Sequence, residues 1–315
     1  MKIEHTYVIN LKDKQERWNN IQTKFKDTGL KLKRWDAVYG KKLDDNYIKS
    51  TSTPYCYNFC SNGMIGAWLS HYNLWKYIVE NNLNNVLILE DDANPVDNFN
   101  DRIKILDKAP TDADIIYLGC IGTCNINNDY VNKKYNDDFI KPLIPLQAHA
   151  YILTNRGAKK LLKYKELKKV SSHIDVFLAF KIYTKDDFNV YATRDNLIYQ
   201  NDINTSAITN NNHYIINKLC SNIYIDKNNT MDYFINSPVL SIRKINYDIT
   251  GLLLIFIILM TIITIKCKSK VVLSVLILIL ILFLFEYTET RSRNIIIDYM
   301  LILLFTFMVY KIHKN

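Results

Sequence analysis

Val86-Leu87-Ile88-Leu89-Glu90-Asp91-Asp92-Ala93 is the stretch whose reading decides the fold. Four apolar residues, too few for a helix, fit a short strand buried on both faces. The strand runs straight into three consecutive carboxylates, which repel one another, so something must offset that cost. In open α/β sheets the ligand crevice lies outside the carboxyl ends of the strands. A hard divalent cation held by carboxylate oxygen, with diphosphate and water in its remaining positions, meets both conditions. On this reading Glu90 and Asp92 straddle the ion as metal ligands, and Asp91 points to a ribose or sugar hydroxyl. The competing reading is an exposed acidic turn that caps a following helix.

Outward from this stretch, strand and helix patterns alternate. Residues 6–11 form a short apolar run ending in Asn10 and Leu11, a buried strand. Residues 12–28 carry Trp18, Ile21 and Phe25 at helical spacing, with Gly29 as a stop. Residues 32–38 read as a second strand. Residues 64–79 form an amphipathic helix with Ile65, Trp68, Leu69, Tyr72, Trp75 and Val79 on one face. Further strands are expected at 114–118 and 151–153, and helices at 156–164 and 174–183. The alternation predicts an α/β fold: a Rossmann-like, mixed but mostly parallel sheet covered by helices on both faces. No internal repeat is present.

Polarity changes abruptly near Asp248. Residues 249–265, 271–285 and 295–310 are almost wholly apolar. Helices of 15 to 17 residues reach about 23–26 Å, just short of the ~30 Å hydrocarbon core of a bilayer. The tail is therefore expected to enter a membrane as two or three C-terminal transmembrane helices, with Asp298 at an interface or paired. The organisation expected is a catalytic domain over 1–210, a connection over 211–248 and a membrane region over 249–315. Orientation is open. Lys266, Lys268 and Lys270 favour a cytoplasmic first connection, while the absence of a leader at the start favours a cytosol-facing domain, which is the expectation adopted.

The formal net charge of +9 suits an acidic partner such as nucleotide phosphate or anionic lipid. The basic residues are scattered without interleaved aromatics, so nucleic acid is not an expected partner. Six cysteines include the pairs Cys56/Cys60 and Cys120/Cys124. Their spacing departs from the usual zinc knuckle, and unlinked thiols are expected over disulfides or a metal site.

The ordered residues resemble a known family. Val8-Ile9-Asn10-Leu11 with Arg17, Gly66-Ala67-Trp68-Leu69-Ser70-His71 with Trp75, and Ile88-Leu89-Glu90-Asp91-Asp92 look like the motifs of glycosyltransferase family 25. Tyr117-Leu118-Gly119, Ala150-Tyr151-Ile152-Leu153-Thr154, Ile174-Asp175 and Gln200 with Ser206 continue the pattern over roughly residues 5–208. One departure is Ala67, where the family usually has Cys; the tail lies outside the resemblance.

The resemblance implies a GT-A fold, a nucleotide-sugar donor (a UDP-sugar before others), a divalent ion, usually Mn²⁺, and inversion at the anomeric carbon. The acceptor would be a glycan, a lipid-linked group or a protein hydroxyl. Inversion needs a base opposite the leaving group, and Asp175 is the candidate, with a helix-start carboxylate favoured by the dipole as its plain alternative. His173 is a further candidate ligand. Asn10 and Arg17, just after the first strand, are placed at the nucleotide or diphosphate, although Arg17 also suits a surface ion pair. His71 is a candidate site residue on a core-facing helix, and Trp68 and Trp75 are read as core. Two alternatives remain: a nucleotidyltransferase, disfavoured by the lack of a Gly-rich loop after Leu11, and an inactive scaffold.

Overall fold

The computed structural model describes residues 1–125, 132–200, 238–242 and 245–248. The chain divides into two compact units, Met1–Asp202 and Ile203–Asn315. In the second, strands Pro238–Ile242 and Ile245–Asp248 pair antiparallel. The three apolar stretches lie outside the described residues. No helix among the described residues is long and apolar enough to cross a membrane.

The first unit is built on β1 (His5–Asn10), β2 (Leu32–Asp36), β3 (Val86–Glu90), β4 (Ala93–Pro95), β5 (Ile115–Gly122), β6 (Lys133–Lys134), β7 (Phe139–Lys141), β8 (Pro145–Leu153), β9 (Val190–Thr193) and β10 (Ile198–Gln200). Eight of these form one sheet in the order β2-β1-β3-β8-β5-β9-β7-β6. β1 pairs parallel with β2 and β3, and β5 with β9, while β8 is antiparallel to both its neighbours and β7 to β9 and β6. Six strands thus run one way and two against them, the mixed, mostly parallel sheet expected. β4 and β10 form a separate antiparallel pair.

The helices are α1 (Gln15–Lys24), α2 (Asp45–Thr51), α3 (Pro54–Phe59), α4 (Asn62–Glu80), α5 (Phe99–Arg102), α6 (Asn155–Lys163) and α7 (Ile174–Phe177). Strand residues alternate between two cores, as a period of two dictates. Tyr7, Ile9, Val86 and Ile88 join α4 and α6 on one face. Val8, Leu87 and Leu89 join Ile21 of α1, Phe25 just after it and Phe99 of α5 on the other. Val86 to Leu89 have no exposed surface, worth roughly 6–12 kcal/mol in total at about 1.5–3 kcal/mol per side chain. That burial anchors the strand whose end gathers the carboxylates.

Helix α4 is capped by Ser61, whose Oγ accepts from the Met64 N–H. It buries more of its circumference than one stripe: Leu74 and Ile78 are enclosed along with Ile65, Trp68 and Trp75. It approaches the loop after β2 backbone to backbone. A Cβ on Gly66 would stand 2.5 Å from the Val38 carbonyl oxygen, and one on Gly40 would overlap the Asn62 carbonyl.

Several expectations need correction. The helix expected over 12–28 is confined to Gln15–Lys24, because Phe25 already leaves helical geometry and Gly29 turns at φ 70°. The helix expected over 174–183 is one α-turn, Ile174–Phe177, followed by a π-helical stretch, Leu178–Ile182. The cysteines expected to be free are paired, Cys56 with Cys60 and Cys120 with Cys124. The geometry explains the pairing: Cys56 lies in α3 and Cys60 caps it one turn later, with Cα atoms 4.6 Å apart, and Cys120 and Cys124 face each other across the end of β5 at 6.0 Å.

Candidate active site

The strand pleat distributes the three carboxylates. Glu90 follows Ile88 onto the α4 face, Asp91 follows Leu89 onto the α1 face, and Asp92 stands in the turn before β4. Each therefore meets a different set of partners.

Asp91 is clamped. Its Oδ1 accepts from the Arg17 guanidinium at 2.6 Å and its Oδ2 from Asn10 Nδ2 at 2.6 Å. Burial pushes the Asp91 carboxyl up, against the pull of Arg17 and the Asn10 hydrogen bond. Asp91 therefore faces Asn10 and Arg17 here. Both its oxygens are engaged by the strand-end Asn and the first turn of α1, because residue 91 points to the face that α1 covers. Arg17 also lies 3.9 Å from Asp92.

Asp92 is 10% exposed, and its Oδ2 accepts from Gln200 Nε2 at 3.0 Å. Gln200 arrives there because β10 pairs antiparallel with β4, setting Gln200 opposite Ala93. Burial, with Glu90 and Asp91 nearby, pushes the Asp92 carboxyl up from 3.8 to about 7. Asp92 Oδ1, Gln200 Oε1 and Asn10 Oδ1 are buried and have no hydrogen-bond partner. Asp92 Oδ1 and Gln200 Oε1, on side chains already joined by a hydrogen bond, are oxygen donors of the kind a hard cation takes, and Asn10 Oδ1 belongs to the side chain that holds the neighbouring Asp91. Among the described residues no three His, Cys, Asp or Glu side chains gather at one ion position. A coordination shell here would thus draw on ligand and water oxygens.

Glu90 keeps 29% of its side chain exposed, and its Oε1 lies 3.2 Å from His71 Nε2. Burial raises its carboxyl; the His71 hydrogen bond and the electrostatic pull of His71, His149 and Arg17 outweigh this and leave it below the ordinary value. His71 is 1% exposed, and its second ring nitrogen lies 2.9 Å from the Tyr151 hydroxyl, which also accepts from Trp75 Nε1 at 2.9 Å. His71 and Trp75 therefore sit behind the site, enclosed in the protein.

Asp175, in the first turn of α7, is buried at 5% exposure. Its Oδ2 accepts from the backbone N–H of Gln147 at 3.0 Å. Gln147 has φ 69°, a conformation costly for a residue with a side chain, and the carboxylate helps to hold it. β8 lies antiparallel to β3 with Ala150 opposite Leu89, so Gln147 lies beyond the carboxyl end of β3. Asp175 thus belongs to the same end of the sheet as the acidic cluster. His173 immediately precedes α7.

One neighbour escaped the sequence reading. His149 is buried, its Nε2 contacts the Ile198 carbonyl at 3.1 Å, and its Nδ1 has no partner. It fits only because Gly119 has no side chain: a Cβ there would lie 1.9 Å from Ile198 O and 2.5 Å from His149 Nε2. Burial lowers the His149 pKa. A lone His inside an apolar strand carries no spacing signal, so only the fold could bring it to Glu90.

Comparison with known proteins identifies a family. The profile of glycosyltransferase family 25 (LPS biosynthesis protein) matches residues 3–178, which hold the carboxylates and Asp175. A glycosyltransferase 25 family member of Aedes aegypti is 30% identical over 191 residues, covering 54% of this chain and 30% of its own. Procollagen galactosyltransferase 1-A of Xenopus laevis is 29% identical over 216 residues, covering 61% and 33%. The human procollagen galactosyltransferase 2 is 28% identical over 131 residues, covering 38% and 21%. The chain thus spans about a third or less of the length of these relatives. With the family profile matched over more than half of its residues, the chain belongs to glycosyltransferase family 25.

Proposed function

We propose that the first unit is the catalytic domain of a metal-dependent, inverting glycosyltransferase that moves a hexose from a nucleotide sugar, a UDP-sugar before others, to a hydroxyl of a glycan, lipid-linked or protein acceptor. The observation that carries this reading is the pair of orphaned oxygens, Asp92 Oδ1 and Gln200 Oε1, on two hydrogen-bonded side chains beyond the carboxyl end of β3. A donor diphosphate with its cation supplies what such oxygens lack. Asp92 would hold the ion with Gln200, and Glu90 would close the other side; Mn²⁺ is the ion proposed. When bound, the ion stabilises the negative charge that develops on the diphosphate as a Lewis acid. Asn10 and Arg17 fix Asp91 and with it the turn that carries Asp92.

Asp175 is proposed as the base. The acceptor oxygen forms its bond to the anomeric carbon as the bond from that carbon to the donor phosphate breaks. The acceptor proton passes to the Asp175 carboxylate, and the nucleoside diphosphate leaves. His71 acts through Glu90 on this account, since it is enclosed.

The apolar tail is proposed to hold the protein in a membrane. The two disulfides favour an oxidising compartment for the catalytic domain, the side opposite to the cytosolic placement expected from the start of the chain. Lys266, Lys268 and Lys270 in a cytoplasmic connection agree with that side.

The test is release of nucleoside diphosphate across a panel of UDP- and GDP-sugars, with and without Mn²⁺. Metal-dependent turnover of at least one donor is expected. Hydrolysis and transfer absent for every donor, with the protein shown to be folded, would end this reading.

A further inference from the structure

A hydrogen-bonded chain runs through the interior of the first unit from Trp75 to Tyr151 to His71 to Glu90. The separations are 2.9, 2.9 and 3.2 Å. Trp75 and Tyr151 have no exposed surface and His71 has 1%. No solvent intervenes, so the count of donors and acceptors fixes where each proton sits.

The count begins at Glu90. An ionised carboxylate only accepts, so His71 Nε2 must carry a hydrogen and donate it to Oε1. A neutral imidazole has one N–H, which leaves Nδ1 a bare acceptor. The Tyr151 hydroxyl must then donate to Nδ1, and a lone pair of that hydroxyl receives the N–H of Trp75, which can only donate. Every group in the chain is satisfied in this one arrangement. A ring carrying both protons would leave the Tyr151 hydroxyl hydrogen without an acceptor in a fully buried place, which is unfavourable.

We propose that His71 is a positioning residue, locked by Tyr151 and Trp75 as the Nε2–H tautomer so that it grips one oxygen of Glu90 and turns the other, Oε2, toward the ligand. The proposal rests on the reading of Glu90 as a ligand-facing carboxylate. It assigns Trp75 and Tyr151 a purpose beyond filling the core. Aromatic packing alone does not require the indole nitrogen and the phenol oxygen to meet on one line with the imidazole. His71 and Tyr151 are also stacked, with centroids 5.9 Å apart and planes at 26°, which holds the ring against rotation.

The experiment labels the six histidines of the full-length chain with ¹⁵N and reads the ring nitrogens by NMR, without metal, assigning His71 by its loss in His71→Gln. The expected result is Nε2 protonated and Nδ1 bare in the wild type. A wild-type ring protonated at Nδ1 alone, or at both nitrogens at pH 8, overturns the proposal. The second arm measures Mn²⁺-dependent UDP binding. His71→Asn, which keeps a polar group toward Tyr151 but cannot reach Glu90, should weaken it about 10–100-fold, and His71→Gln, which places an N–H near the Nε2 position, should restore most of the loss. Equal loss in Asn and Gln variants that remain folded overturns the clamp. UDP that binds no form while the wild type shows the Nε2–H tautomer supports the locked ring and overturns the nucleotide-sugar reading instead.

Discussion

We predict that Asp92→Asn stabilises the metal-free protein at alkaline pH while abolishing its affinity for a divalent ion. Burial, Glu90 and Asp91 raise the Asp92 carboxyl from 3.8 to about 7 in the folded protein. Between these values the folded state keeps a proton that the unfolded chain has released. The stability this group supports is therefore complete below pH 3.8 and is lost as pH rises to about 7. At about 1.4 kcal/mol per pH unit the loss reaches ~4 kcal/mol at pH 8, with ~2–3 kcal/mol of it falling between pH 5 and pH 8. Asn cannot ionise, yet its amide oxygen can still accept from Gln200 Nε2, so the variant should escape the penalty without losing that bond. The assay is urea denaturation of both proteins in chelator at pH 5 and pH 8. The wild type should weaken relative to the variant by ~2–3 kcal/mol over that interval. Mn²⁺ at a hundredfold excess over its dissociation constant should then return about 2.7 kcal/mol to the wild type at pH 8 and nothing to the variant. A stability difference independent of pH, or an equal gain from Mn²⁺ in both, would refute the reasoning.

Three further outcomes are expected. Asp175→Asn retains an oxygen to accept from the Gln147 N–H, so a purely structural role predicts near-normal turnover; a base predicts a fall of about 10²–10⁴-fold in transfer rate with donor affinity unchanged. Alkylation of the denatured, unreduced chain should leave Cys56, Cys60, Cys120 and Cys124 protected; modification of these four would mean the disulfides do not form. After an alkaline carbonate wash the full-length protein should remain with the membrane pellet because of its apolar tail, and recovery in the supernatant would remove the membrane proposal.

The sequence announced the parts of the fold whose period or punctuation is local. Val86 to Leu89 read as a buried strand and are one, and α4 begins at Asn62, two residues before its expected start. Strand direction was not readable. β8 is buried at all nine positions, and an apolar run looks alike in either direction, so its antiparallel course and its first six residues escaped notice. α2 and α3 also escaped, since each is too short for a helical stripe and is set by caps, Asp44 and Thr53. The acidic cluster was legible because three adjacent carboxylates after an apolar run are improbable without a partner. Its distribution was not: that Asp91 turns to Arg17 and Glu90 to His71 follows from which helix covers each face. The orphaned oxygen of Gln200 depended on β10 folding back beside β4, a contact 108 residues apart in sequence.

The most direct measurement of the central claim is calorimetric titration of the full-length protein with UDP and GDP, with Mn²⁺ present and again in chelator. The account predicts that at least one nucleotide binds only when the ion is present, and that Asp92→Asn abolishes this binding. Nucleotide affinity that is the same in chelator as in Mn²⁺, or that survives intact in Asp92→Asn, would contradict it.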